Sequence, residues 1–65
     1  MKITLNGKMY ETQSFNLHTL LEELELANAV VATALNGEFV CIEQRSEALF
    51  NNGDRIEVLA PMQGG

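Results

Sequence analysis

A single cysteine, Cys41, can form no disulfide within the chain, so no covalent framework staples this fold of 65 residues. Cys41 and the lone His18 together fall short of a structural zinc set. Cations are scarce as well: four Lys and Arg stand against nine Asp and Glu, for a net charge of −5. Nucleic-acid binding needs clustered cations, and Lys2, Lys8, Arg45 and Arg55 are scattered among acids, which excludes that class of partner. No apolar run approaches the ~18 residues of a membrane span, and the N-terminal residues lack the apolar stretch of a signal peptide. The sequence therefore predicts no membrane partner and a cytoplasmic setting. A chain this short has a core worth roughly 3–5 kcal/mol net and little room for a walled pocket, so it is not predicted to be an enzyme.

What is present is globular. The chain is 46% hydrophobic and 20% charged, with one proline, whereas disordered chains are poorer in apolar residues. Its acidity suits a protein partner with a basic or mixed surface, found partly by electrostatic steering.

Three Asn-Gly dipeptides, Asn6-Gly7, Asn36-Gly37 and Asn52-Gly53, punctuate the sequence. Asn-Gly accepts positive φ, so between alternating apolar runs it signals a hairpin. A two-residue loop at Asn6-Gly7 pairs Leu5 with Lys8, Ile3 with Tyr10 and Lys2 with Glu11. The period then changes: Leu17, Leu20, Leu21 and Leu24 fall at i, i+3, i+4 and i+7, which predicts a helix over residues 17–26. Asn16 is its N-cap, Phe15 and Leu20 suit a hydrophobic staple, and Asn28 marks the exit. Glu22, Glu23 and Glu25 form its wet face. Val30–Leu35 and Glu38–Ile42 are predicted as a second hairpin around Asn36-Gly37, and residues 43–50 as a short helical turn anchored by Leu49 and Phe50. Residues 51–54 form a tight turn before a last strand, Arg55–Leu59, with Ile56 and Val58 facing inward. Hairpin, helix, hairpin, turn and strand make an α+β pattern, one helix crossing one face of a sheet of four to five strands.

Catalytic readings are weak. His18 has no nucleophile or acid paired with it and reads as a solvated or capping residue. Cys41, placed mid-strand, reads as a small packed hydrophobe. The pairing of the second hairpin puts Val31, Thr33, Val40 and Ile42 on one face and Ala32, Ala34, Phe39 and Cys41 on the other. A single short helix covers only one of two apolar faces. Phe39 and Cys41, with Leu59 nearby, are therefore predicted to form a partner interface, unless residues 43–50 cover them.

The C-terminal residues Pro61-Met62-Gln63-Gly64-Gly65 carry a second signal. Pro61 interrupts a ladder and favours an extended exit. Glycines lack Cβ atoms, so Gly64 and Gly65 allow a backbone to thread a narrow slot, although glycines at an end also simply fray. A terminal carboxylate is ionised at neutral pH and is a nucleophile.

The segments MKITLNG, NLHTLLEEL, ALNGEFV, NGDRIEVLAP and the final QGG, in this order and spacing, resemble the thiamine-biosynthesis sulfur carrier (ThiS) family over essentially the whole chain. The resemblance implies a ubiquitin-like β-grasp over residues 1–65, its first and last strands parallel and central, with residues 60–65 an extended, flexible tail. It implies that a ubiquitin-activating-enzyme-like adenylyltransferase, using ATP and magnesium, adenylates the Gly65 carboxylate. A sulfur donor protein then converts it to a thiocarboxylate that thiazole synthase consumes. Gly64 would give access, and Pro61, Met62 and Gln63 would position the arm; the chain itself would bind no cofactor or metal. Where the family commonly has a proline and a basic residue after the middle turn, this chain has Cys41 and Ile42. A sulfur carrier for molybdopterin and a non-catalytic β-grasp binding module are the alternatives.

Overall fold

In the computed structural model, which describes residues 1–60, five strands form one mixed sheet crossed by one helix. The strands are β1 (Lys2–Leu5), β2 (Lys8–Glu11), β3 (Ala32–Leu35), β4 (Glu38–Val40) and β5 (Arg55–Leu59), and the helix α1 is Leu17–Glu23. The sheet order is β2-β1-β5-β3-β4. β1 and β5 run parallel at its centre and the other neighbours are antiparallel. This is the ubiquitin-like β-grasp arrangement. The first hairpin has the register that its turn and alternation dictate: Lys2 opposite Glu11, Ile3 opposite Tyr10 and Leu5 opposite Lys8. Asn6 and Asn36 each take a positive φ, near +51° and +52°, followed by glycines at +83° and +88°, as two-residue hairpin turns require.

One face of the sheet packs against α1. Ile3, Val40, Ile56 and Val58 meet Leu17, Leu20, Leu21 and Phe50 in a buried cluster. Asn16 caps the helix as expected, its side chain accepting from the Thr19 N–H at 2.8 Å. The staple does not form, since Phe15 is 65% exposed. The chain before the helix is held instead by its backbone: the Phe50 N–H donates to the Phe15 carbonyl and Asn16 bridges Leu49.

The helix is shorter than its leucine stripe suggests. It ends at Glu23, because Glu25 takes the left-handed conformation at φ +63°. The Leu26 N–H then returns to the Leu21 carbonyl at 2.7 Å and the Glu25 N–H to the Glu22 carbonyl at 3.0 Å. These are the two bonds of a Schellman cap, with glutamate where glycine is usual. Leu26 folds back against the core, so its apolar contact selects the exit ahead of Asn28.

Glu23 does not belong to a simple solvated face. Its carboxylate accepts from the hydroxyls of Thr12 at 2.7 Å, Tyr10 at 2.8 Å and Ser14 at 2.9 Å, tying α1 to β2 and the loop after it. The Thr12 bond, then those of Tyr10 and Ser14, hold this carboxyl below its ordinary range against the opposing effect of desolvation. The same carboxylate raises the Tyr10 phenol. A depressed folded pKa stabilises the protein above the unfolded glutamate value of about 4.3. That contribution is lost as pH falls below this value and through the folded one. Glu23→Gln is expected to lower stability by about 1 kcal/mol at neutral pH, the exposed setting limiting the effect. Urea titrations across the acid range should show the two proteins converging as Glu23 becomes protonated.

The second hairpin is also trimmed. β3 begins at Ala32, its residue opposite the last residue of β5, and β4 ends at Val40. Cys41 is therefore not mid-strand; it is the N-cap of a 3-10 turn, Ile42–Glu47, which points Ile42 to solvent instead of the core. Phe50 anchors the segment that follows, whereas Leu49 is exposed. The cause of the early departure is Arg45. Its buried guanidinium donates through Nε to the Thr33 hydroxyl at 3.1 Å and through Nη2 to the Val31 carbonyl at 2.6 Å. The Thr33 hydroxyl in turn donates to the Val40 carbonyl at 2.8 Å. The polar groups beyond the short ladder are thus satisfied by a side chain instead of by a longer strand pair.

Candidate functional site

The face of the sheet opposite α1 follows from strand parity. Leu59 lies opposite Ala32, and Phe39 opposite Ala34, so β5, β3 and β4 present these four side chains on one side. Phe39 is 71% exposed and Leu59 61% exposed; the row of Phe39 runs through Ala34 to the exposed Glu57 of β5, which shares this face with Leu59 two residues on. Exposed apolar side chains on three adjacent strands, with one carboxylate among them, are the kind of surface that protein partners use. Cys41, expected beside them, is half-buried at the mouth of the 3-10 turn. Phe39 and Leu59 share one face of the sheet, on β4 and β5 with β3 between them, and Cys41 lies beyond the end of β4.

Beside Phe39 the 3-10 turn leaves a shallow groove of about 280 Å³. Its floor includes Leu35, Val40 and Ala48, and Glu38 and Glu47 lie along it. Both glutamates are exposed, so any partner reaching this end of the strip meets negative charge. The exposed cations Lys2, Lys8 and Arg55 stand on β1, β2 and β5.

Nothing in this geometry resembles a catalytic centre among the described residues. His18 Nε2 lies 3.5 Å from Glu22 Oε2 on the open side of α1, an exposed i,i+4 pair of small energetic weight. No group of three or more His, Cys, Asp or Glu side chains is placed to hold a metal among the described residues. Among the described residues no helix is long and apolar enough to cross a membrane. Pro61, Met62, Gln63, Gly64 and Gly65, the sequence's candidates for the chemical end, lie outside the described residues.

Two residues with defined roles escape a reading of the sequence. Arg45 reads there as one scattered cation, and no local pattern announces that it is buried. Asn6 reads only as a turn residue, yet its carboxamide grips β5. Nδ2 donates to the Val58 carbonyl at 3.1 Å, and Oδ1 accepts from the Val58 N–H at 2.9 Å. The other two Asn-Gly asparagines act similarly through Oδ1, Asn36 on the Arg55 N–H and Asn52 on the Lys2 N–H. The Asn-Gly spelling was a signal for these contacts only in hindsight, since turn chemistry does not say what the side chain will reach.

Comparison with known proteins agrees with this architecture. The crystal structure of a thiamine biosynthesis protein (ThiS) from Geobacter metallireducens superposes with a TM-score of 0.84 at 35% sequence identity, covering 100% of both chains. An NMR solution structure of a thiamine biosynthesis protein from Geobacter metallireducens gives a TM-score of 0.81 at 33% identity, covering 100% of this chain and 88% of the other. No curated protein sequence matches. The family model for the ThiS family matches residues 3–65. With that match and whole-chain likeness at this identity, the chain belongs to the ThiS family.

Proposed function

We propose that this chain is the sulfur carrier of thiazole assembly in thiamine biosynthesis, a protein cosubstrate of the cytoplasm and not an enzyme. The observation that carries the reading is family membership across residues 3–65, a span that includes the Gly-Gly end. The carboxylate of Gly65 attacks the α-phosphorus of ATP on a ubiquitin-activating-enzyme-like adenylyltransferase, and pyrophosphate leaves. A carboxylate is a poor acyl donor, and the acyl-adenylate supplies the leaving group it lacks. The terminal sulfur of a persulfide on a donor protein then displaces AMP to give an acyl disulfide, and attack by a second thiol on its S–S bond releases the Gly65 thiocarboxylate, which passes its sulfur to thiazole synthase. The adenylyltransferase contributes ATP, magnesium and the groups that stabilise developing charge.

In this division of labour, Gly64 admits the end of the chain to a narrow site, and Pro61, Met62 and Gln63 set its approach. The strip of Phe39 and Leu59, with Cys41 at its margin, docks the partner. Its position supports that role, because Leu59 is the last residue of β5 and stands two residues before Pro61. A docking contact there is adjacent in sequence to the reacting end.

Intact-mass measurement tests the proposal. Incubation with the adenylyltransferase, ATP and a sulfur donor is expected to raise the mass by the difference between sulfur and oxygen. An unchanged mass under conditions that load a known family member overturns it. Rescue of a molybdenum-cofactor mutant, without rescue of a thiamine auxotroph, would assign the carrier to molybdopterin instead.

A further inference from the structure

The parallel pairing of β1 and β5 stops before β5 does. β1 ends at Leu5, opposite Ile56, while β5 continues to Leu59. On its other side β5 stays paired with β3 as far as Ala32 and Leu59. The Asn36 N–H donates to the Arg55 carbonyl at 2.7 Å. Backbone groups along an antiparallel ladder point alternately toward and away from the partner strand. In this register Arg55, Glu57 and Leu59 direct their N–H and C=O toward β3, and Val58 directs its pair the opposite way, where β1 has already turned back. The Asn6 N–H still reaches the Ile56 carbonyl at 2.9 Å, and its carboxamide then takes both Val58 groups. A side chain thus stands in for the next residue of the missing strand.

We propose that Asn6 is a positioning residue: by clasping the backbone of Val58 it fixes the course on which the chain leaves the sheet toward its Gly-Gly end. The role rests on the sulfur-carrier reading above. Val58 is the last residue of β5 whose outward backbone groups need a partner on the β1 side, so releasing it frees the end of the strand on that edge. A misplaced reacting group loses rate even when docking is intact, since small displacements are costly in an oriented reaction.

Asn6→Gly removes the carboxamide and keeps the positive φ that the turn requires, so it isolates the clasp. Asn6→Asp keeps an acceptor for the Val58 N–H but faces its carbonyl with a carboxylate. Asn52→Gly is the matched control, because it removes a similar bond at the start of β1, at the other end of the parallel pair. The readouts are hydrogen exchange at the Val58 amide, thermal unfolding, and pyrophosphate–ATP exchange with the adenylyltransferase as a function of carrier concentration.

For N6G, Val58 exchange is expected to rise roughly tenfold. The kcat for pyrophosphate exchange should fall about tenfold with KM within twofold of wild type, because the docking strip is untouched. N6D should lie between N6G and wild type, and N52G should keep the wild-type kcat despite its own loss of stability. A wild-type kcat in N6G, or an equal fall in N52G, overturns the role of Asn6. A wild-type chain that supports no exchange overturns the sulfur-carrier reading itself, and this role with it.

Discussion

Deleting Gly65, or adding one residue after it, is expected to abolish sulfur loading while leaving partner binding within a few-fold of wild type. Both changes move the carboxylate relative to the proposed docking strip, and they do so without touching a residue of the core. An extra residue extends the arm and puts a Cβ-bearing unit, or a longer backbone, into a slot suited to glycine. The reaction needs the carboxylate in line with the α-phosphorus of ATP, and such positional requirements are steep. The opposite phenotype is expected of Leu59→Asp and Phe39→Asp. Each adds a second charge beside Glu57 on the proposed docking face, so binding should weaken by about tenfold or more. Exposure of both residues predicts that folding survives. Titration of binding together with intact mass separates the two classes. A lengthened chain that still gained sulfur would falsify the terminal-carboxylate chemistry.

Ile56→Ala is expected to remove most of the chain's stability. Ile56 is fully buried on the central strand, between Leu5 of β1 and Leu35 of β3. Truncating a buried isoleucine to alanine costs roughly 2–5 kcal/mol through lost transfer energy and the cavity left behind. A core of this size supplies roughly 3–5 kcal/mol net, so one substitution consumes most of the margin. The substitution also replaces a β-branched residue by one less suited to a strand. Urea unfolding should show a lower midpoint or no cooperative transition, against Phe39→Ala, whose exposure predicts a change within about 0.5 kcal/mol. A midpoint equal to wild type would mean that Ile56 is not part of the cooperative core.

Local chemistry made much of the fold readable. Asn6-Gly7 set a two-residue loop, and a two-residue loop sets the register of the strands on either side, so Lys2 had to oppose Glu11. Asn16 offered a short acceptor just before a helical stripe, and it caps that helix. Exposure of Phe39 and Leu59 was legible for a similar reason: strand parity assigns faces, and one short helix covers one face. The ends of elements were not readable in the same way. Glu25 at φ +63° is unfavourable locally and persists because Leu26 gains core contact by it. β4 stops at Val40 because Arg45, five residues later, satisfies the Thr33 and Val31 oxygens.

By itself the sequence determined the absence of a disulfide, the acidic balance, the turns, the pairing of the first hairpin, and the resemblance that pointed to a Gly-Gly carrier. All of these depend on residue identity or on contacts a few positions apart. Only the tertiary structure decided what Arg45, Glu23 and Asn6 do. Their partners are 12 to 14 residues away for Arg45, 9 to 13 for Glu23, and 52 for Asn6. A polar side chain at such distances has no local preference that names its acceptor; it bonds to whatever backbone or hydroxyl the packed sheet leaves unpaired. The scarcity of cations acquires a sharper meaning in that light. One of the four, Arg45, is folded inward as a structural donor, and the other three are what this acidic surface keeps for solvent.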